Sequence, residues 1–438
     1  MGGKIQPIKG MHDILPDDLV KIEYVKSLLL RTAEKYGFLH VQTPTLESAE
    51  IYRSTSEFPE EKCYSLVDRK GRKMILRSDP DAQLVRLVAN HFMYVPKPIK
   101  LAFCGSIFRS WNPHRREFKM FSISTFGVSE STADAEILRV IADVVEEVGF
   151  PGYRVEFNNL QLFRHIICAT DTGSRSEDEI RDILYAVRFA PNAKAIVAAL
   201  ESYHLPKSII DAILSLMNCN SDESDAQDVL AKLGRVFPLL IPEIEKTLAF
   251  KTSLANYGVQ NLHLNVSNLH GTGFYSGFTY RLFPKDGSKE IGDGGRYDYM
   301  MQQMNCGTMP ATGIGLGIER FIELMEANHC SVTFSPKAKN IVVAYTDSQL
   351  ATRCRPVLRD VRSAGCIIEE DFVIRGFDKT VSYAKSKRCN RVIMVSAFEP
   401  EACIHLKVVN LNNGRTDSLV AHNLEELRDI LLKCHRGL

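Results

Sequence analysis

The segment Gly313–Phe321, GIGLGIERF, sets a glycine at every second position of an extended run and then changes to a helical pattern. Glycine has no Cβ, so such a strand can lie against a ligand or another element at a distance that side chains forbid. The arginine that follows, Arg320, opens a helix whose first amides already favour anions. The string therefore predicts a strand–helix junction in a sheet. It serves either to hold a phosphate or to pack tightly.

The rest of the chain supplies such a sheet. Its 438 residues, 45% of them hydrophobic, predict roughly two to four domains at about 100–200 residues each. Helical periodicity over Asp17–Tyr36 is followed by an extended run from Phe38 to Pro44 and by strands around Lys73–Arg77 and Leu101–Arg109. From Ser174 to Asn256 the Leu, Ile and Ala residues recur at three and four positions, as in EDEIRDILYAVRF, with breaks at Pro191, Pro206 and Asn220. That stretch reads as an inserted helical domain. Strands return at Leu262–Val266 and Phe278–Phe283, and a helix is predicted from Glu319 to Asn328. SVTFSPKAKN, residues 331–340, reads as a polar linker. Beyond it, strand and helix alternate through NIVVAYTD, CIIEED, RVIMVSA and HLKVVNL to an amphipathic helix from Leu424, the pattern of a separate small α/β domain.

Charge and cysteine usage narrow the function classes. Lys+Arg 54 against Asp+Glu 53 leaves a net charge of +1, so contact with RNA must come from local patches rather than a global basic field. No run approaches the roughly 20 apolar residues of a membrane span, and MGGKIQPIKGMHD has no apolar signal core; a cytoplasmic protein is expected. The 11 cysteines stand singly, without CxxC or Cys/His ligand spacing, which predicts reduced, mostly buried thiols and no metal cage built from protein alone.

GIGLGIERF resembles motif 3 of the class II aminoacyl-tRNA synthetases, in which the arginine, here Arg320, clamps the γ-phosphate of ATP. FRSWNPHRREF, Phe108–Phe118, is similar to motif 2, and Gly37-Phe38 followed by Pro44 to motif 1, the dimer element of that class. GMHDILPDD, ILRSDPDAQLVR, STADAEI and GGRYD resemble segments of the histidyl-tRNA synthetase family in particular, in the family's chain order. The resemblance covers nearly the whole chain. It implies an α/β fold with an α+β catalytic core: a class II antiparallel sheet flanked by helices, a helical insertion and a C-terminal α/β domain like the anticodon-binding one. The expected division is 1–170 and 259–330 for the core, 171–258 for the insertion and 338–438 for the last domain.

Adenylate formation explains what motif 2 would do. A carboxylate attacks the α-phosphorus of ATP, so fixed guanidinium groups must neutralise phosphate charge and align the reactants. The resemblance puts Arg109 on the α-phosphate, Arg115, Arg116 and Glu117 among the ATP ligands, and Arg320 on the γ-phosphate, with Mg2+ as the accompanying ion.

The amino-acid half departs from the family. Asp79 keeps an acid for the substrate ammonium. Met120 and Ser124 stand where the family has Gln and Glu for the imidazole. The family's RGLDYY is here HGTGFY, so His270 replaces an arginine and Phe274 a tyrosine, while Tyr275 remains. The motif 2 loop is shorter and carries Trp111, which either stacks on adenine or packs on the loop. Losing several buried hydrogen bonds to a polar substrate costs orders of magnitude in selectivity.

Three readings follow. The chain activates histidine and charges tRNA as a homodimer, with Lys379, Lys385, Lys387 and Arg388 on or beside one C-terminal helix tracking RNA phosphates. Alternatively it is a non-catalytic paralogue resembling the regulatory subunit of ATP phosphoribosyltransferase. A third possibility is an enzyme that adenylates another acid, with Met120 and Ser124 lining a more apolar pocket. The first ranks highest because the full-length architecture is hard to explain without tRNA.

Overall fold

The computed structural model describes residues 5–52, 62–169, 175–219, 223–330, 341–398 and 403–436. The linker expected at 331–340 lies outside them. The chain forms two compact units, Met1–Phe334 and Ser335–Leu438.

In the first unit the strands are β1 (Leu39–Val41), β2 (Leu46–Ser48), β3 (Ser65–Val67), β4 (Lys73–Leu76), β5 (Ile99–Phe108), β6 (Glu117–Phe126), β7 (Tyr153–Asn159), β8 (Leu262–Leu264), β9 (Phe278–Pro284), β10 (Gly292–Arg296) and β11 (Ala311–Gly317). Its helices are α1 (Pro16–Lys35), α2 (Asp81–His91), α3 (Thr132–Glu147), α4 (Leu160–Cys168), α5 (Glu177–Phe189), α6 (Ala193–Ser202), α7 (Lys207–Met217), α8 (Glu223–Val236), α9 (Ile241–Asn256), α10 (Met300–Gln303) and α11 (Ile318–Ala327). Eight strands make one sheet in the order β1-β5-β6-β11-β10-β9-β7-β8. Its centre is antiparallel throughout, and only the end pairs β1/β5 and β7/β8 are parallel. The expected antiparallel sheet flanked by helices is therefore what the chain builds.

Local sequence explains the elements. Pro16 opens α1 with Asp17 and Asp18 in its first turn, where acid side chains suit the helix dipole. Ile22, Val25, Leu28, Leu29 and Ala33 are buried at helical spacing, and Gly37 turns the chain out at φ +82°. The helices from Glu177 onward share the sheet's hydrophobic core. Phe250 of α9 meets Phe157 of β7 edge-on at 5.5 Å and Phe278 of β9 at 4.2 Å.

The second unit contains β12 (Ile341–Tyr345), β13 (Ile368–Glu370), β14 (Arg391–Phe398), β15 (Cys403–Asn410) and β16 (Thr416–Ala421), ordered β13-β12-β14-β15-β16, with α12 (Ser348–Ser363), α13 (Phe377–Ser386) and α14 (Leu424–Arg436). Alternate residues of β12 face opposite sides: Ile341, Val343 and Tyr345 enter the core under α12 and α14, and Val342 the smaller one under α13. Cys354, Cys366, Cys389, Cys403 and Cys434 are buried there as thiols, outside any disulfide.

One buried network ties the sheet centre of the first unit to α3. Arg296, at the end of β10, pairs with Asp134 of α3, and Thr312 of β11 donates to the same carboxylate at 2.6 Å. Arg296 also donates to the carbonyls of Val128 (2.8 Å) and Glu130 (3.1 Å), and Tyr280 of β9 bonds Thr312 at 2.8 Å. Burial pushes the Asp134 carboxyl up, and Arg296 and Thr312 oppose it. Removing one member of such a pair strands a buried charge, so Asp134→Ala is expected to lose about 3–5 kcal/mol in denaturant unfolding. Arg72→Ala, which breaks the exposed pair with Asp68, should lose about 1 kcal/mol or less. Equal losses would contradict this division.

Candidate active site

The glycine run meets its neighbours where the sheet is tightest. Gly313, Gly315 and Gly317 of β11 lie opposite Ser124, Ser122 and Met120 of β6, and Gly294 of β10 lies opposite Ile314. A Cβ on Gly294 would sit 2.2 Å from the Gly313 carbonyl oxygen, and one on Gly315 would sit 2.4 Å from the Met120 Cε. Gly294 thus serves packing. Gly315 instead borders a cavity.

That cavity, about 620 Å³, opens beside the ends of β5, β6, β10 and β11. It falls in the usual size range of small-molecule sites, roughly 300–1,000 Å³. Of the residues expected from sequence, Asp79, Arg109, Arg115, Met120, His270, Phe274, Tyr275 and Arg320 line it. Side chains scattered over more than half the chain are brought to one hollow.

Arg109 follows directly after β5 and is aimed by its surroundings. Its Nε donates to the Ser78 carbonyl at 3.2 Å, a terminal nitrogen lies 3.8 Å from Asp79 Oδ2, and its guanidinium stands 5.3 Å from the centre of the Phe118 ring. The loop after it is folded by Asn112, whose Oδ1 accepts from the amides of His114 and Arg115, both at 3.1 Å. Trp111, 40% exposed, lies with its ring centre 5.9 Å from the Arg109 guanidinium and borders the cavity. Arg115 reaches Glu323 at 3.1 Å.

Arg320 sits in the first turn of α11 and is half exposed. It touches Glu290 at 3.1 Å, while Arg281 holds the same glutamate through two nitrogens at 2.9 and 2.5 Å. A phosphate can therefore draw Arg320 away without leaving Glu290 unpaired. Glu319 takes the Lys119 amide on both carboxylate oxygens, at 3.0 and 2.9 Å, and ties α11 to β6. Burial raises its carboxyl above the ordinary range.

Three expected residues are placed elsewhere. Ser124 shares the strand face of Met120 and Ser122 but is fully buried, and the Tyr297 hydroxyl donates to it at 2.8 Å. Tyr297 covers it. Arg116 is fixed by its amide to the Gly10 carbonyl at 2.7 Å with its side chain against Gly10, and Glu117 borders a separate groove with Lys21 and Glu326. Neither lines the cavity. In the second unit, Lys379 and Lys385 are exposed on α13, with Lys387 and Arg388 exposed just beyond it.

The inner wall also holds acids that were not singled out from sequence. Asp81, the first residue of α2, accepts from Ser122 Oγ at 3.0 Å, and Asp293 of β10 lies 2.9 Å from His270 Nε2. Burial pushes Asp81 well above the usual carboxylate range, with Asp79 adding to it. Burial would raise Asp293 too, but the hydrogen bond and charge of His270, with Arg109 and Arg281, hold it below its ordinary value. Asp81 stands inside a string already quoted, ILRSDPDAQLVR, and Asp293 directly precedes GGRYD. Their convergence is what no spacing reveals.

The model of the family described as histidyl-tRNA synthetase matches residues 10–321. The chain belongs to the histidyl-tRNA synthetase family. Relatives include a histidine–tRNA ligase of Pyrococcus furiosus, 26% identical over 98% of this chain and 100% of that protein. An ATP phosphoribosyltransferase regulatory subunit of Ruminiclostridium cellulolyticum is 25% identical over 90% of this chain and 92% of its own. Among solved structures, a histidyl-tRNA synthetase from Nostoc sp. PCC 7120 superposes with TM-score 0.71 at 19% identity, over 98% of this chain and 100% of that one. A regulatory subunit/histidyl-tRNA synthetase from Bacillus halodurans gives TM-score 0.72 at 16% identity, over 91% and 100%. These likenesses establish the class II fold.

The two glycines separate packing from function. Gly294→Ala must move backbone and is expected to lose about 1–3 kcal/mol or more in thermal unfolding. Gly315→Ala meets only a flexible methionine tip and should unfold near the wild-type temperature, with a smaller cavity. A larger loss from Gly315→Ala than from Gly294→Ala would overturn this assignment.

Proposed function

We propose that the chain is an ATP-dependent ligase of the histidyl-tRNA synthetase type, which activates an amino acid as its adenylate and transfers it to tRNA. The observation that carries this reading is that Arg109, Arg115 and Arg320 border one cavity together with Asp79. The wall pairs cationic groups for phosphates with an acid for an ammonium.

Arg109, anchored on Ser78 and Asp79, neutralises the α-phosphate as the substrate carboxylate attacks it. Arg320 and Arg115 hold the outer phosphates, so that pyrophosphate leaves on the side opposite the attacking oxygen. Trp111 and Phe118 offer flat surfaces beside Arg109 for the adenine. Among the described residues no three His, Cys, Asp or Glu side chains converge to hold a metal. Magnesium would instead come with the triphosphate, since Mg2+ takes phosphate oxygens with one or two carboxylates. Glu290 and Glu319 border that wall. Among the described residues no helix is long and apolar enough to cross a membrane.

The same reading places RNA phosphates on Lys379, Lys385, Lys387 and Arg388, and a homodimer on the motif 1 region. Exposed Leu39, Leu46, Leu66 and Val67 on β1, β2 and β3 support the dimer. It also treats 171–258 as the insertion and 338–438 as the anticodon-binding-like domain. A non-catalytic, regulatory-subunit-like role is the second reading. What favours it is that His270 is engaged by Asp293, and that Met120 and Ser124 do not restore the family's polar contacts.

Amino-acid-dependent pyrophosphate exchange decides between the two. Exchange is expected with magnesium and ATP, and its absence with every amino acid would favour the second reading. Losing a charged hydrogen bond costs about 1.5–3 kcal/mol, so Arg320→Ala should weaken ATP binding about tenfold or more in calorimetric titration. Unchanged affinity would remove Arg320 from the phosphate site.

A further inference from the structure

The inner wall carries more acid than one α-ammonium needs. Asp79 has Arg109 at 3.8 Å and Asp293 has His270 at 2.9 Å, whereas the hydrogen bond to the Asp81 carboxyl comes from the neutral Ser122 hydroxyl at 3.0 Å and the Arg109 charge only partly offsets its burial. Met120, Phe274 and Tyr275 line the cavity, the Ser124 hydroxyl is bonded to Tyr297, and Ser122 is spent on Asp81 itself. A pocket that reads a neutral ring needs donors and acceptors placed in turn. This wall instead offers carboxylates in a cavity that Met120, Phe274 and Tyr275 also line.

We propose that Asp81 is the specificity-determining residue of this cavity and selects an amino acid of the dibasic type, with a protonated side-chain amine in addition to its α-ammonium. Asp79, whose Oδ1 accepts from the Asp81 amide at 2.8 Å, takes one cationic centre and Asp81 the other, and Met120, Phe274 and Tyr275, which line the same cavity, offer apolar surface to the methylenes. Ser122 holds the Asp81 carboxylate in place. Burial and the neighbouring Asp79 disfavour the charged form of Asp81, and an ammonium group relieves both. The inference rests on reading the cavity as an amino-acid site, but it concerns which amino acid binds and not whether it is activated.

The test uses the full chain with ATP and magnesium. Calorimetric titration with ornithine, lysine, histidine, methionine and leucine reads selectivity, and pyrophosphate exchange with the same five reads activation. Ornithine or lysine is expected to bind at least about tenfold more tightly than methionine or leucine, in keeping with about 1.5–3 kcal/mol for a charged hydrogen bond. Asp81→Asn should bring that ratio close to one. Because the aspartate is costly to charge where it stands, Asp81→Asn should melt no lower than the wild type. Ser122→Ala, which removes only the carboxylate's support, should reduce the ratio less.

Tightest binding of histidine, methionine or leucine by the wild type would overturn the proposal, and so would a dibasic preference that survives Asp81→Asn. A dibasic preference lost in Asp81→Asn upholds it even if no amino acid supports exchange, and that outcome removes activation instead. Exchange fastest with a neutral amino acid upholds activation and overturns the role of Asp81.

Discussion

The ion pair between Arg296 and Asp134 is the contact on which the first unit depends. It joins α3 to the middle of the large sheet, and Thr312 and Tyr280 extend it across β11 and β9. Two strings that look unrelated in sequence, STADAEI and GGRYD, thus form one buried network. Its members are spent on each other and on the backbone carbonyls of Val128 and Glu130. The arginine of GGRYD is a structural residue, and the chemistry must lie with the residues around it. The glycines beside it let the strands close up, which fixes where the ends of β10 and β11 border the cavity.

The cavity lining carries both signs of charge. Arg115 pairs with Glu323 and Arg320 with Glu290, while Asp79 accepts from the Asp81 amide and Asp293 lies against His270. Arg109 has its guanidinium against Phe118 and its charge near Asp79. Such a lining suits a reaction that joins a polyanion to a zwitterion, because each reactant is held by opposite charge before they meet. Solved structures of a histidyl-tRNA synthetase and of a regulatory subunit/histidyl-tRNA synthetase share this fold, so the fold by itself does not select between the two.

Much of this was legible in the sequence because the signals were local. The 3.6-residue period of α1, the proline that opens it and the glycine that ends it act within one segment, and the predicted helix matches the observed one to a residue at each end. The same holds for α11 and for the strand before it. Arg109 and Arg320 were legible because each sits at a strand–helix or strand–loop junction whose chemistry is written in adjacent residues. Ser124 was read as a pocket residue, yet Tyr297, 173 positions away, covers it. The reading with another acid as substrate put a more apolar pocket around Met120, and Asp81 and Asp293 line the same cavity. In each case the deciding neighbour is remote along the chain.

The sequence by itself determined the order of elements, the mixed α/β class and the family, since these follow from periodicity, turn chemistry and contiguous strings. Only the tertiary structure decided which members of those strings face the cavity and which are locked into the core. A β-strand alternates its faces, so sequence says that Met120, Ser122 and Ser124 share a side. It does not say that Tyr297 closes over one and Asp81 engages another, because those contacts depend on how strands and helices distant in the chain are laid against each other.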